Sequence, residues 1–354
     1  MHILFNRKTK YYYGYILLSV IFSLIYIAIV DGFHEWFHFR NGLAIGITIG
    51  LLFIFFEFYI YKKFLKRLQF IHVLILRSFY YLIVIITTLF FELILVRMIR
   101  DNNSFSEVLF SEEFQRYLTS NDFRFGIVYA FILILIINFS RQMNAKLGQG
   151  NFVNFILGRY VTPVRQERIF MFIKINLPET TVYDLSSHKY ITFLNEIIFD
   201  ITEVIINYYG ELYEYVDDTI VVSWPIKKGI NNANCIRAYY ESIYVLTEEK
   251  IKYLKKFGIS PQLSAALHMG KTIRGELGDV KSTIVYSGDV MNMTSRILDQ
   301  CSIVNQPILI SESLMHKIDL PEIYYLINCG DRTLRGKKES VALYAIGEKE
   351  FQYV

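Results

Sequence analysis

Adjacent aspartates, Asp217 and Asp218, sit in the stretch Tyr213-Glu-Tyr-Val-Asp-Asp-Thr-Ile-Val-Val-Ser-Trp224, between two runs rich in β-branched and aromatic residues. Carboxylate oxygens are hard ligands suited to Mg²⁺. Aspartate also tolerates the left-handed backbone of a tight hairpin turn, and taken alone an adjacent pair is more commonly a turn former than a cation site. Downstream, Asn292 and Arg296 in Ser287-Gly-Asp-Val-Met-Asn-Met-Thr-Ser-Arg296 stand one helical turn apart, on one face. An amide there can orient a hydroxyl and a guanidinium can neutralise charge on phosphorus. The bland reading of the same spacing is a solvated helix face.

These side chains need elements to hold them. Arg168 to Ile175 is a β-rich run, and Ser187 to Tyr209 carries Tyr190, Phe193, Leu194, Ile197, Ile201, Val204 and Ile205 at helical spacing, closed by Gly210. Glu211 to Val216 and Thr219 to Trp224 flank Asp217-Asp218 as a hairpin. Helical spacing returns over Asn234 to Phe257. A strand over Gln262 to Met269 is expected to end at Gly270, with Lys271 to Gly278 as a second hairpin-like element. Ser282 to Tyr286, a helix over Val290 to Cys301, and strands at Ile308 to Ser311 and Val341 to Ile346 complete the pattern. The order predicts an α+β domain over residues 164–354, with a mostly antiparallel sheet flanked by helices.

The rest of the chain is too apolar to be wholly soluble: 53% of its 354 residues are hydrophobic and the mean hydropathy is +0.31. Four apolar runs, Tyr12 to Val30, Leu43 to Ile60, Val73 to Val96 and Phe125 to Phe139, approach the ~20 residues that cross a bilayer as helix. They predict an N-terminal four-helix transmembrane region over 1–140. Residues 141–163, with Gly148-Gln-Gly150 and Thr162-Pro163, read as a linker. Arg7, Lys8 and Lys10, then Lys62, Lys63, Lys66 and Arg67, place the N-terminus and the second loop on the cytoplasmic side of the cell (inner) membrane, so the chain after the fourth run is expected there too, with the loops Asp31 to Gly42 and Arg97 to Arg124 facing outward. Within the runs, Glu57, Arg77 and Glu92 are the ionisable residues that resist a purely anchoring role. Cys235, Cys301 and Cys329 are odd in number and scattered, which argues against disulfides or zinc. The net charge of +4 is accounted for by the basic loops, which argues against a nucleic-acid partner.

Over roughly residues 159 to 346 the chain resembles the class III adenylate/guanylate (nucleotidyl) cyclase family, membrane-anchored bacterial type. The resemblance rests on Gly158-Arg-Tyr-Val-Thr-Pro163, Leu263-Ser-Ala-Ala-Leu-His-Met-Gly270, Gly275-Glu-Leu-Gly278, Gly288-Asp289 with Asn292 and Arg296, and Leu334-Arg-Gly-Lys337, in that order. It implies cyclisation of ATP or GTP to cyclic AMP or cyclic GMP. Asp218 would then be the second metal aspartate for Mg or Mn, Asn292 and Arg296 the catalytic pair, and Arg335, with Lys337 and Lys338 nearby, the polyphosphate holder. Glu214 and Val285 would face the base. The family reads adenine with lysine and guanine with glutamate at the first of these positions, whereas Val285 offers no hydrogen bond, so the base stays open. The resemblance further implies a dimer that shares its sites between chains, as a homodimer or a heterodimer with another cyclase chain.

One departure cuts against catalysis. Where the family carries its first metal aspartate, this chain reads Phe172-Ile-Lys-Ile175. The Lys174 ammonium repels cations, and two cations a few Å apart need anionic ligands to offset their repulsion. Asp217, or Glu179 and Asp184 after the strand, could substitute; alternatively the chain serves a complete partner, or is a non-catalytic pseudo-cyclase in which Lys174 meets phosphate directly.

Overall fold

The computed structural model describes residues 16–25, 28, 36–57, 59–60, 68–147, 156–160, 162–177, 186–278, 283–336 and 340–349. The chain divides into two compact units, Met1–Lys146 and Leu147–Val354.

The first unit is helical: α1 (Ile16–Ile25), α2 (Trp36–Phe55), α3 (Phe70–Asp101), α4 (Phe105–Leu109), α5 (Glu112–Thr119) and α6 (Asn121–Leu147). Gly46 and Gly50 of α2 let α1 approach closely, since a Cβ at Gly50 would stand 2.8 Å from Ile16 Cα. The expectation of four spans is corrected here. Among the described residues one helix, Phe70–Ile99, is long and apolar enough to cross a bilayer; at ~1.5 Å per residue it exceeds the ~30 Å hydrocarbon thickness. At the other three expected positions the described apolar helical stretches are Ile16–Ile25, Phe39–Phe55 and Ala130–Met143; residues 12–15, 26, 27, 29 and 30 of the first expected run and residue 58 of the second lie outside the described residues. Arg40 lies within the second of these stretches and Asn138 and Arg141 within the last. α6 runs on past residue 140 to Leu147, into the segment expected as linker.

The second unit is built on an eight-stranded sheet. Its elements are β1 (Val164–Asn176), α7 (Ser187–Asn207), β2 (Glu211–Val216), β3 (Thr219–Pro225), α8 (Ile226–Ile230), α9 (Asn234–Glu248), α10 (Lys250–Phe257), β4 (Gln262–Leu277), β5 (Thr283–Ser287), α11 (Asp289–Ile303), β6 (Ile308–Ser311), α12 (Glu312–Met315), β7 (Tyr324–Thr333) and β8 (Ser340–Glu348). The strand order is β2-β3-β1-β4-β6-β8-β7, with β5 paired to β4. Every pairing is antiparallel except β4 with β6, as the apolar patterning predicts. β1 lies at the centre, so both its faces are covered: Ile169, Met171, Ile173 and Ile175 are fully or almost fully buried, and Phe170 on the opposite face packs with Val221, Tyr286 and Val290. Trp224 at the end of β3 is wholly buried, its indole N–H donating to the Tyr208 carbonyl at 2.8 Å.

Three local expectations need correction. β4 does not stop at Gly270 but continues to Leu277, because β1 pairs with it without interruption from Asn176↔Gln262 to Val164↔Arg274. Gly270 instead makes room for α11: a Cβ there would lie 3.3 Å from Val290. The expected helix over Asn234 to Phe257 breaks at Glu249 into α9 and α10. β7, absent from the sequence reading, forms the outer strand against β8, with a register shift between Asn328 and Asp331 where Gly330 turns at φ +75°.

Candidate functional site

The β2–β3 hairpin presents Asp217 and Asp218 at its tip. Asp217 takes φ +52°, a left-handed turn residue as its type allows. The tip is tied to the end of β1, since the Ile175 N–H donates to the Asp218 carbonyl at 2.9 Å. Thr219 Oγ1 donates to Asp218 Oδ1 at 3.1 Å. Lys174, opposite Thr219 in the β1–β3 register, brings its Nζ to 4.0 Å from Asp218 Oδ2. An ammonium–carboxylate pair thus stands where the family resemblance implies two carboxylates. With the two side chains 50% and 31% exposed, the pair is worth about 0–1 kcal/mol, so an incoming anion or cation can break it. Tyr190, in the first turn of α7, belongs to the same group: burial, then the charges of Asp218 and Asp217, push its hydroxyl pKa above the ordinary value.

Does this donor set fit the implied metals? Among the described residues no cluster of three or more His, Cys, Asp or Glu side chains could hold an ion. Two carboxylates, one already facing an ammonium, do not fit a pair of divalent cations. They do fit one Mg²⁺ or Mn²⁺ that takes its remaining oxygens from a bound phosphate chain. Glu179 and Asp184, the other proposed substitutes, lie outside the described residues.

A second group forms on α11. Gly288 precedes the helix at φ +152°, where a Cβ would press 3.0 Å against the Lys271 carbonyl. Val290, Met293, Thr294, Ile297 and Cys301 are buried beneath the helix, which leaves Asn292 exposed and Arg296 half-buried on the outer face. The Arg296 guanidinium lies along the turn at Gly336 (φ +72°), since a Cβ there would be 3.5 Å from Arg296 Nη2. Leu334 pins that turn by packing, 1% exposed, with Met293 and Ile297. Arg335 is exposed at the tip of the same turn. Two guanidiniums on one turn suit a polyphosphate. Lys337 and Lys338 lie outside the described residues.

The sequence neighbours of Glu214 and Val285, Tyr213 and Tyr286, meet across the sheet. The Tyr286 N–H donates to the Tyr213 hydroxyl at 3.3 Å and their rings meet edge-on with centroids 4.9 Å apart. Glu214 is exposed just past a β-bulge in β2, and Val285 lies opposite Gly275 on β5. Beneath them, Arg168 and Arg274 each place a guanidinium 5.2 Å from the Tyr286 ring. Arg168 also donates to Glu211 at 2.6 Å and to Ser223 at 2.9 Å. A 20 Å³ cavity between Glu211, Tyr213, Ser223, Arg274 and Tyr286 has room for about one water. Arg274 reaches back to stack on Tyr160, 4.3 Å from its ring.

The structure therefore joins Lys174, Asp217, Asp218 and Tyr190 into one group, Arg296 and the Arg335 turn into a second, and the surroundings of Glu214 and Val285 into a third. No hydrogen bond or ion pair among the described residues links the first group to the second. A groove of 590 Å³ beyond the end of β1, lined by Asn176, Tyr239, Lys250, Ser302 and Asn305, contains none of the candidate residues. Sequence reasoning missed Tyr190 as a site residue and Arg168, Tyr213, Arg274 and Tyr286 as supports. All five carry the β-rich or helical patterning of core positions, and nothing in their local sequence marks them.

No protein-family model matches the chain. Adenylate cyclase 2 of Rhizobium meliloti (strain 1021) is 27% identical over 220 residues, covering 62% of this chain and 61% of that protein. The chain thus spans about three fifths of that relative's length. Two structures of a bacterial light-regulated adenylyl cyclase superpose with TM-scores of 0.54 and 0.52, at 18% and 19% identity. They cover 67% and 64% of this chain, and 69% and 66% of their own. What is shared at that identity is the fold: this chain carries a cyclase-like α+β architecture with a mixed sheet flanked by helices.

Proposed function

We propose that this chain is a membrane-attached class III nucleotidyl cyclase, making cyclic AMP or cyclic GMP from the nucleoside triphosphate as an intracellular signal. The observation that carries the reading is the outward face of α11, where Asn292 and Arg296 stand beside the Arg335 turn on a cyclase-like fold. In the reaction the ribose 3′-oxygen attacks the α-phosphorus in line, the α–β bridging P–O bond breaks, and pyrophosphate leaves as the 3′ proton passes to solvent. Asn292 orients the ribose, Arg296 offsets the charge that builds on phosphorus, and Arg335 holds the β- and γ-phosphates. Asp218 and Asp217 would hold one Mg²⁺ or Mn²⁺, which would supply positive charge to the triphosphate. Glu214 and Val285 meet the base. The working unit is the dimer that the cyclase resemblance implies, in which each site draws the acidic hairpin from one chain and the α11 face from the other; the separation of the two groups within one chain is in keeping with it. The span Phe70–Ile99 attaches the protein to the membrane, with the second unit on the cytosolic side where nucleoside triphosphate is found.

The Lys174–Asp218 ion pair favours a second reading: a catalytically impaired partner that binds nucleotide, Lys174 meeting phosphate directly, and regulates another cyclase chain. Assay of the purified full chain for both cyclic nucleotides, with Mg²⁺ or Mn²⁺ and beside Lys174→Asp, separates the two. Product from the unmodified chain supports the cyclase. Product from the variant alone supports the impaired partner, and absence of product from both, in folded dimeric protein, sinks the first reading.

A further inference from the structure

Three charged side chains converge inside the first unit. Glu57 lies where α2 passes into π-helical geometry, at residues 56–57 and 59–60, a widened turn often found at functional positions. Its Oε2 accepts from Arg77 Nη2 at 3.3 Å; its Oε1 accepts from Arg141 Nη1 at 3.3 Å and from the Tyr81 hydroxyl at 2.5 Å. Arg77 and Tyr81 lie one turn apart on α3, and Arg141 is on α6, so a single carboxylate bridges three helices. The Glu57 and Arg77 side chains are 11% and 5% exposed, and Arg141 is 38% exposed.

The seam continues along α3 and α6. Fully buried Asn138 donates to fully buried Ser78 at 3.0 Å, and the rings of Phe70 with Phe139 and of Phe79 with Phe131 meet across the same helices. Those aromatic contacts would hold the helices together without any charge. A buried ion pair returns little more than its desolvation costs, yet removing one partner is strongly unfavourable because the other is left uncompensated. Such a pair is therefore poorly explained as glue and well suited to a contact with two states. Its position gives that contact a direction: Arg141 lies in the last two turns of α6, and the second unit begins at Leu147.

We propose that Glu57, with Arg77, Tyr81 and Arg141, is a charge latch that fixes α6 against α2 and α3, and that its release alters the second unit through the chain that α6 feeds. The inference rests on the cyclase reading only in taking the altered output to be cyclic-nucleotide synthesis.

Amide hydrogen exchange on the full chain in lipid nanodiscs tests it without requiring catalysis. Glu57→Gln is expected to speed exchange at least tenfold over residues 138–147 and at least threefold in β1 of the second unit, and Glu57→Asp, which keeps the charge, to restore protection. Arg141→Gln removes the most exposed partner and gives the same pattern if Glu57→Gln does not fold. A change confined to the first unit would make the network a brace and overturn the proposal, as would no change. Cyclic-nucleotide formation is read in parallel. In an active protein the Glu57→Gln rate should shift at least threefold and return in Glu57→Asp, and an unshifted rate also overturns the latch. A wild type that makes no product, while Glu57→Gln still gives the exchange response in β1, counts against the cyclase reading and leaves the latch standing.

Discussion

The two halves of the candidate site have fared differently. The α11 half keeps an amide, a guanidinium and a second guanidinium on a glycine turn, all supported by buried Met293, Ile297 and Leu334. The hairpin half keeps its geometry, with Asp218 tied to β1 through Ile175, yet carries a lysine where the family resemblance implies an acid. The contrast teaches that backbone placement and electrostatic function are separable. A hairpin can hold an aspartate at the right point while a neighbour on the adjacent strand reverses the sign of the field it serves.

The sharpest way to break the comparison is Arg296→Ala. If α11 supplies charge neutralisation, product formation should fall about 10²–10³-fold, or about 2.7–4 kcal/mol, the range for deleting one donor to a developing charge; where the unmodified chain is silent, the measurement is made in the Lys174→Asp background. Next in size, Lys174→Asp itself should raise cyclic-nucleotide formation in Mn²⁺ by roughly 10–100-fold, because it removes one positive charge and adds a negative one beside Asp218. A fall instead would make Lys174 a working phosphate ligand. Gly336→Ala sharpens the α11 side: its left-handed φ of +72° makes a side chain cost about 1 kcal/mol, read as a lower urea midpoint, with nucleotide affinity weakened as Arg296 is displaced. Smallest is Lys174→Ala, which should change unfolding free energy by under about 1 kcal/mol, since the pair it breaks is half-exposed. A larger loss would show that the lysine was kept for stability.

Much of the second unit was legible because local chemistry and tertiary placement agree there. The hairpin around Asp217-Asp218, the helix after Gly288 and the long apolar face of α7 follow from alternation, helical spacing and a few glycines. Gly270 misled: inside a strand it marks the close approach of Val290, a fact of packing that no local pattern carries. β7 escaped notice because its bulge at Gly330 interrupts the alternation. The Lys174–Asp218 contact and the Tyr190 position depend on strand register and helix docking. Of the four expected spans, the described residues carry one helix of full length, Phe70–Ile99; the ends of the first expected run, residues 12–15, 26, 27, 29 and 30, lie outside them.

Trp224 offers a practical consequence. The chain has two tryptophans, and they divide between the units: Trp36 is 75% exposed at the start of α2, and Trp224 is sealed in the β-sheet core with its N–H bonded to Tyr208. Each unit thus has its own intrinsic fluorophore. Replacing Trp36 with phenylalanine and exciting beyond tyrosine absorption would leave a single tryptophan emission band that reports opening of the sheet core alone, and acrylamide quenching of that band would follow the second unit's unfolding.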